Sequence, residues 1–103
     1  MSPEKFRDEL QAQCGRLDLT ASDLAIWFER PRATLRTWLE NQRIPKAGRV
    51  LDECARRLNL LRSCRAFPVP YSVLKFDRPA YIKRAFEHAD NAGVPARNSA
   101  RNR

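Results

Sequence analysis

A short cationic helix face is the part of this sequence whose side chains are best suited to chemistry. Leu35 and Trp38 fall three residues apart and share one side of a predicted helix. The opposite side has no acid before Glu40; its residues are Arg32, Ala33, Arg36 and Thr37. Arginine can donate two parallel hydrogen bonds to guanine O6 and N7, and alanine or threonine methyls can contact thymine. The face is therefore equipped to read double-stranded DNA; the alternative is an ordinary amphipathic helix with a solvated basic side.

Two short helices joined by a tight turn are predicted to position this face. Thr20 can cap the first helix with its hydroxyl, and Asp23 completes an acidic variant of the capping box. An apolar face follows, made of Leu24, Ala25 and Phe28. The pattern then breaks, because a residue before proline is pushed out of the helical region while proline itself suits a first helical turn. We therefore expect a second helix from about Pro31 to Asn41.

The spacing of these positions resembles the Cro/repressor-type (phage-repressor-like) helix-turn-helix family of phage and bacterial DNA-binding proteins. The matching residues are Leu24, Ala25, Phe28, Leu35 and Trp38, then Glu40-Asn41 and Arg43-Ile44-Pro45. The resemblance is close over residues 20–45 and loose over residues 3–62. Two turn positions depart from the family, which usually has glycine where this chain has Glu29 and an apolar residue where it has Arg30.

The resemblance implies both a function and a set of contacts. Such domains are commonly transcriptional regulators that bind DNA as dimers on two half-sites, with the second helix in the major groove. The residues at the family's base-reading positions are Arg32, Ala33, Arg36 and Thr37. Arg43 and Lys46 are placed for phosphates, whose contacts fix register rather than sequence.

The charge distribution favours a polyanionic partner. The 103 residues suit one small domain, with 20 basic against 12 acidic side chains, a net charge of +8 and a pI near 10.3. Residues 1–30 hold 4 basic and 6 acidic groups, whereas residues 31–65 hold 9 and 3, and residues 66–103 hold 7 and 3. Positive charge therefore begins with the predicted recognition helix. A basic surface that is simply solvated, or an acidic protein partner, would give the same total.

Residues typical of catalysis and metal binding are sparse. The three cysteines, Cys14, Cys54 and Cys64, lack metal-ligand spacing and are expected to be reduced thiols, with the single histidine, His88, distant in sequence. No glycine-rich phosphate loop or paired-carboxylate signature is present. We expect a protein that is not an enzyme and binds no cofactor or metal. With no leader or long apolar run in the sequence, we expect it in the bacterial cytoplasm or nucleoid.

The remaining helices complete a predicted all-α bundle. The first should begin at Ser2-Pro3 and stop at Gly15, with Phe6, Leu10 and Cys14 inward. A longer helix is expected over residues 46–62. Its inner face would be Val50, Leu51, Cys54, Ala55, Leu58 and Leu61. Its arginines, Arg49, Arg56, Arg57 and Arg62, could touch phosphates or be solvated. The predicted core consists of Phe6, Leu10, Leu24, Phe28, Leu35 and Trp38.

The C-terminal third changes character after residue 65. The segment 67–70 favours extended geometry, and residues 71–74 could form a short strand or an arm across the bundle. A last helix should start near Asp77 and Pro79 and stop at residues 91–93. Its apolar stripe is Tyr81, Ile82, Ala85, Phe86 and Ala89. This stripe either folds back onto the core or forms a subunit interface, and the same helix is the candidate dimer contact.

The predicted organisation is therefore a helix-turn-helix bundle over residues 1–65, a linker and C-terminal helix over 66–93, and a basic tail over 94–103. The tail lacks apolar periodicity, so we expect it to be disordered in isolation, either solubilising or lying along DNA. Three hypotheses follow. The first is a phage or bacterial transcriptional regulator. The second is a DNA-recognition subunit of a phage packaging or replication machine, with residues 66–103 binding a partner. The third is a protein-interaction module without specific DNA binding.

Overall fold

The described part of the chain is built from α-helices. The computed structural model describes residues 2–40, 43–46 and 48–92. The helices are α1 (Pro3–Leu17), α2 (Ala21–Phe28), α3 (Arg32–Leu39), α4 (Gly48–Ser63) and α5 (Arg78–Ala92), with a 3₁₀ turn at Lys75–Asp77. No strand occurs within these described residues. The predicted all-α bundle is confirmed, whereas the short strand over residues 71–74 is wrong.

The beginning of α1 follows the sequence signals, but its end does not. The Ser2 hydroxyl accepts a hydrogen bond from the Lys5 N–H at 3.1 Å, and proline occupies the first turn. The predicted stop at Gly15 is wrong, because the helix continues to Leu17, which is 2% exposed. The chain turns at Asp18 instead, which adopts the left-handed conformation (φ 56°) while its N–H bonds the Cys14 carbonyl. Burial of Leu17 stabilises the extra helical residues.

One half of the core lies where α1, α2 and α3 meet. The rings of Phe6, Phe28 and Trp38 pack edge to face in all three pairings, with centroids 5.7 to 6.2 Å apart. Leu10, Leu24 and Leu35 fill the space around them and are fully buried. All six predicted core residues are thus buried, and α3 is anchored to the bundle by its inner side.

The other half of the core is centred on Trp27, which the apolar pattern of α2 did not single out. Its indole lies 5.0 Å from the ring of Phe86 and 5.5 Å from that of Phe67, measured between centroids. The indole N–H donates to the Arg57 carbonyl at 2.8 Å, joining α2 to α4. Ile82 of α5 is also buried. Of the two alternatives for the last helix, α5 therefore takes the first and folds back onto the core.

A charged contact joins the N-terminal ends of α2 and α5. Arg78 donates from Nε to Asp23 Oδ1 at 2.9 Å and from Nη2 to Asp23 Oδ2 at 2.8 Å. The Asp23 side chain also accepts from the Thr20 N–H at 2.9 Å, while the Thr20 hydroxyl caps the Asp23 N–H. The predicted capping box is confirmed, and its acid also orients α5.

The connection between α4 and α5 is a series of turns rather than an arm. The Val73 N–H bonds the Pro70 carbonyl at 3.0 Å, and the Asp77 N–H bonds the Leu74 carbonyl at 2.9 Å. The Val73 N–H is thus bonded within a turn, and the described residues offer no second strand to pair with residues 71–74, so no ladder forms there. Phe67 inserts into the core, whereas Tyr71, Leu74 and Phe76 are exposed.

Candidate nucleic-acid interface

The turn between α2 and α3 has a left-handed residue without glycine. Glu29 adopts φ 56° and ψ 49°, and its N–H bonds the carbonyls of Ala25 and Ile26. The Arg30 N–H bonds the Ala25 carbonyl at 3.0 Å, which closes the C-terminus of α2. A left-handed L-residue costs on the order of 1 kcal/mol. The backbone therefore makes the sharp turn that glycine usually makes, at an energetic cost borne by Glu29.

Pro31 is the cap of α3 rather than its first residue. Its φ of −58° and ψ of 147° are extended, and its carbonyl accepts from the N–H groups of Thr34 (3.0 Å) and Leu35 (3.3 Å). The helix itself runs from Arg32 to Leu39, about one residue shorter at the start than predicted. It ends at Leu39 with Glu40 as its C-cap, two residues before the predicted end at Asn41, which itself lies outside the described residues.

The two sides of α3 separate as predicted. Leu35 and Trp38 are 0% and 5% exposed and pack against α1 and α2. On the opposite side, Arg32, Ala33 and Arg36 are exposed. Buried anchors on one side hold the helix rigidly, so that the exposed side chains are presented from a fixed backbone.

Thr37 is half-buried and partly committed to its own helix. Its hydroxyl donates to the Thr34 carbonyl at 2.8 Å. The hydroxyl oxygen keeps its acceptor lone pairs, and the methyl group remains available. Thr37 is therefore equipped to accept from a base amino group or to contact a thymine methyl, but not to donate while this bond is kept.

Arg43 lies beside the outer side of α3. Together with four α3 residues it lines a shallow depression of about 390 Å³. Those residues are Ala33, Thr34, Thr37 and Trp38. Among the predicted site residues, the depression thus joins Ala33, Thr37 and Arg43. Thr34 was missed by sequence reasoning, although its position three residues before Thr37 puts it on a neighbouring part of the same surface.

Arg32, Arg36 and Lys46 do not line that depression. The two arginines are exposed one helical turn apart on α3, and Lys46 is exposed in the loop before α4. Within residues 2–40, 43–46 and 48–92, none of the cations Arg32, Arg36, Arg43, Lys46 and Arg49 has a carboxylate oxygen within 4.0 Å. Their charges are therefore available to an external anion.

The central arginines of α4, by contrast, form ion pairs with acids of the same chain. Arg56 contacts Glu53 at 3.0 Å and Asp90 at 2.8 Å, and Arg57 contacts Glu53 at 2.7 Å. Hydrogen bonds from Arg56, and then from Arg57, outweigh partial burial and lower the pKa of Glu53 to about 2. The Arg57 guanidinium also lies 4.6 Å from the centroid of the Phe86 ring. These two side chains are therefore bound by carboxylates of the same chain and are not simply solvated.

The inner face of α4 is buried as predicted at four positions, whereas Ala55 is only half-buried and Val50 is exposed. Leu51, Cys54, Leu58 and Leu61 are buried, but Val50 is 47% exposed. The buried stripe advances by three and four residues from Leu51, which leaves Val50 about 100° away on the helix. The helix begins at Gly48 rather than near residue 46.

The cysteines are free thiols packed in or near the core. Cys54 is buried, whereas Cys14 and Cys64 are half-buried. Burial raises the pKa of both Cys14 and Cys54, and the Cys14 thiol donates to the Leu19 carbonyl at 2.7 Å. Across the described ranges, no three His, Cys, Asp or Glu side chains are grouped so that they could hold a metal ion. Nor does any helix in those ranges combine the length and apolar character needed to span a membrane.

Comparison with known proteins identifies no relative. The sequence matches no protein-family model, and neither a curated protein nor a solved structure was found to be similar to it.

Proposed function

We propose that this chain is a sequence-specific double-stranded DNA-binding protein, acting as a phage or bacterial transcriptional regulator in the cytoplasm, with no enzymatic activity. The observation that carries the proposal is the outer side of α3. There Arg32, Ala33 and Arg36 are exposed and the arginines are not neutralised by any described acid, while Leu35 and Trp38 fix the helix from behind. An eight-residue helix held in this way fits the width of a major groove.

Each proposed contact follows from side-chain chemistry. Arg32 and Arg36 would donate to guanine edges, and Ala33 would contact a thymine methyl. Thr37 would accept from a base amino group, since its own proton is directed to Thr34. Arg43, beside this surface, and Lys46 would contact phosphates and so set the register.

The placement of charge supports an orientation in which α3 faces the DNA. The acids of α1 lie on a helix that packs behind α3, and α4 carries its central cations in internal ion pairs. The cations of α3 and of the loop that follows it have no acidic partner among the described residues. A phosphate backbone approaching α3 would therefore meet positive charge first.

A homodimer or higher homo-oligomer is part of the proposal, because an eight-residue helix reads only a few base pairs. The apolar stripe of α5 has its central residues, Ile82 and Phe86, buried in the core. The exposed apolar residues before α5 are better candidates for the contact: Tyr71 (107%), Leu74 (57%) and Phe76 (80%). Light scattering should show a dimer that Phe76→Ser converts to monomer. A ring-like oligomer would instead favour the packaging or replication hypothesis.

The experiment that tests DNA reading is selection of binding duplexes from a random pool, followed by fluorescence-anisotropy titration over a salt series. Three proteins are compared: wild type, Arg36→Ala and Lys83→Ala. Lys83 is an exposed cation on α5, a helix that does not contact α3, so its loss changes net charge equally without touching the proposed site. We expect a defined motif, at which Arg36→Ala loses discrimination at one base pair by about 1–3 kcal/mol while Lys83→Ala retains it.

Two results would count against the proposal. If all duplexes bind alike, with affinity that falls steeply with salt and declines equally in both variants, the basic face is only an electrostatic footprint. If the double variant Arg32→Ala/Arg36→Ala binds the duplexes as tightly as wild type, α3 does not read DNA. The protein-interaction hypothesis is then favoured.

A further inference from the structure

A groove separate from α3 runs between the end of α4 and the outer side of α5. Its volume is about 720 Å³, within the range of roughly 300–1,000 Å³ typical of small-molecule sites. Its apolar lining comes from α4, the residues just after it, and α5. These residues are Leu60, Cys64, Ala66, Tyr81, Ala85 and Ala89. The groove borders neither α3 nor the loop that carries Arg43 and Lys46.

The groove exists because small side chains line the outer side of α5. Ile82 and Phe86 point into the core, whereas Ala85 and Ala89 are too short to fill the space beside Leu60 and Cys64. The Tyr81 hydroxyl donates to the Ala66 carbonyl at 2.6 Å and ties the two walls together near the start of α5. The apolar walls are thus held apart by the packing of the core and joined at one end.

Two arginines, a histidine and no acid line the same groove. Arg65 comes from the wall beyond α4, while Arg84 and His88 lie one turn apart on α5. All three are exposed, and none has a carboxylate oxygen within 4.0 Å among the described residues. An apolar trough with a cationic rim is complementary to a molecule that has an apolar body and an anionic head.

We propose that this groove binds a small amphiphilic carboxylic acid. The slim apolar tail of this ligand lies between the alanines of α5 and the wall formed by Leu60 and Cys64. The ligand's carboxylate accepts hydrogen bonds from Arg84 and Arg65. The chain's own residues 93–103 fit poorly, because their only charged side chains are three arginines. A second copy's exposed 71–76 segment also fits poorly, since its only charged side chain is Lys75.

The test uses decanoate, below its micelle-forming concentration, titrated into the full chain and followed by ¹H–¹⁵N NMR. We expect saturable shifts concentrated at residues 60–66 and 81–92. Arg84→Gln should weaken binding about tenfold or more, because the carboxylate loses a charge-assisted pair of hydrogen bonds. Lys83→Gln is the matched control, an adjacent exposed cation that does not line the groove, and should leave the affinity within about twofold.

A second variant and a second ligand complete the test. Ala85→Phe places a large ring at a half-buried position that lines the groove, and it should abolish the shifts while the far-ultraviolet circular dichroism stays unchanged. Octyl glucoside, which has an apolar chain but no charge, should bind at least tenfold more weakly than decanoate. The proposal is overturned if decanoate gives no saturable shifts, if the two ligands bind equally, or if Arg84→Gln and Lys83→Gln weaken binding alike. A groove that takes an acidic amphipathic peptide but not decanoate would also overturn it.

Discussion

Replacing Arg78 by methionine should show how much the contact between α5 and α2 contributes to stability. Arg78 donates two parallel hydrogen bonds to Asp23, whose side chain is 5% exposed, and a third to the Asp18 carbonyl at 3.2 Å. Methionine keeps much of the aliphatic stem and removes the charge. The variant therefore leaves a buried carboxylate with hydrogen bonds from Thr20 alone.

The size of the effect follows from burial on the two sides of the pair. Removing one partner of a fully buried ion pair typically costs about 3–5 kcal/mol, because the remaining charge is uncompensated. The Arg78 side chain is 31% exposed, so water can reach the carboxylate once the guanidinium is gone. We therefore expect the free energy of unfolding at pH 7 to fall by about 2–4 kcal/mol, and the melting temperature by about 10–25 °C.

The pH dependence gives a second, independent signature. Burial raises the pKa of Asp23, but hydrogen bonds from Arg78 and Thr20 outweigh it, so that the pKa lies below its usual value of 3.8. In the wild type this contribution is complete above pH 3.8 and is lost as the pH falls through the lowered pKa. Without Arg78, burial dominates and the pKa rises. The difference between variant and wild type should therefore shrink as the pH is lowered from 7 towards 4.

Urea unfolding followed by tryptophan fluorescence between pH 7 and pH 4 measures both signatures. The matched control is Arg62→Met, whose guanidinium is 3.7 Å from Glu9 and whose side chain is 47% exposed. Because this pair is exposed to solvent, it should contribute less than about 1 kcal/mol to the free energy of unfolding. If Arg78→Met costs no more than Arg62→Met, or its cost does not depend on pH, the assignment of a buried, stabilising pair is refuted.

Three further predictions concern the turn, the core and the α4 ion pairs. Glu29→Gly should raise the free energy of unfolding by about 0.5–1 kcal/mol in urea titrations, since glycine adopts the left-handed conformation without strain; a loss of stability would contradict it. Trp27→Phe should lower it by about 1–2 kcal/mol, because the hydrogen bond to the Arg57 carbonyl is lost; an unchanged midpoint would argue against that bond. The lowered pKa of Glu53 gives stability that is present above pH 4.5 and lost towards pH 2, so Glu53→Gln should flatten the acid limb of the stability curve.

Local signals in the sequence predicted much of the unit formed by α2, the turn and α3. The Thr20 capping box, the break before Pro31 and the inward spacing of Leu35 and Trp38 each depend on residues within a few positions of one another. Such interactions are decided by backbone chemistry and helical periodicity, which a single sequence displays.

Contacts between distant segments could not be predicted in the same way. Trp27 is placed by Phe67, Phe86 and the Arg57 carbonyl, which lie 30 or more residues away in the chain. A helical pattern alone does not say which of several apolar faces will meet another element. The pairing of Asp23 with Arg78 likewise depends on how α5 folds back onto α2. The sequence therefore did not show that these two charges form an ion pair.

The end of α1 shows how packing overrides a local signal. Gly15 is a reasonable stop by propensity, yet the helix continues because Leu17 reaches the core two residues later. The predicted site residues likewise differ in whether local helical geometry or the course of a loop places them. Arg43 comes next to α3 through a loop whose course the sequence did not specify, while Arg32 and Arg36 follow directly from helical geometry.

Base-analogue substitution in the selected duplex asks whether an arginine of α3 contacts a guanine edge, as we propose. Each guanine of the selected site is replaced in turn by 7-deazaguanine, which lacks the N7 acceptor but keeps Watson–Crick pairing. At one guanine, wild-type protein should lose about tenfold in affinity, whereas Arg36→Ala, which no longer makes that contact, should lose nothing further. Lys83→Ala should behave as wild type at every position. If every guanine can be replaced without loss of affinity, or if wild type and Arg36→Ala lose affinity equally at each, Arg36 does not read the major groove.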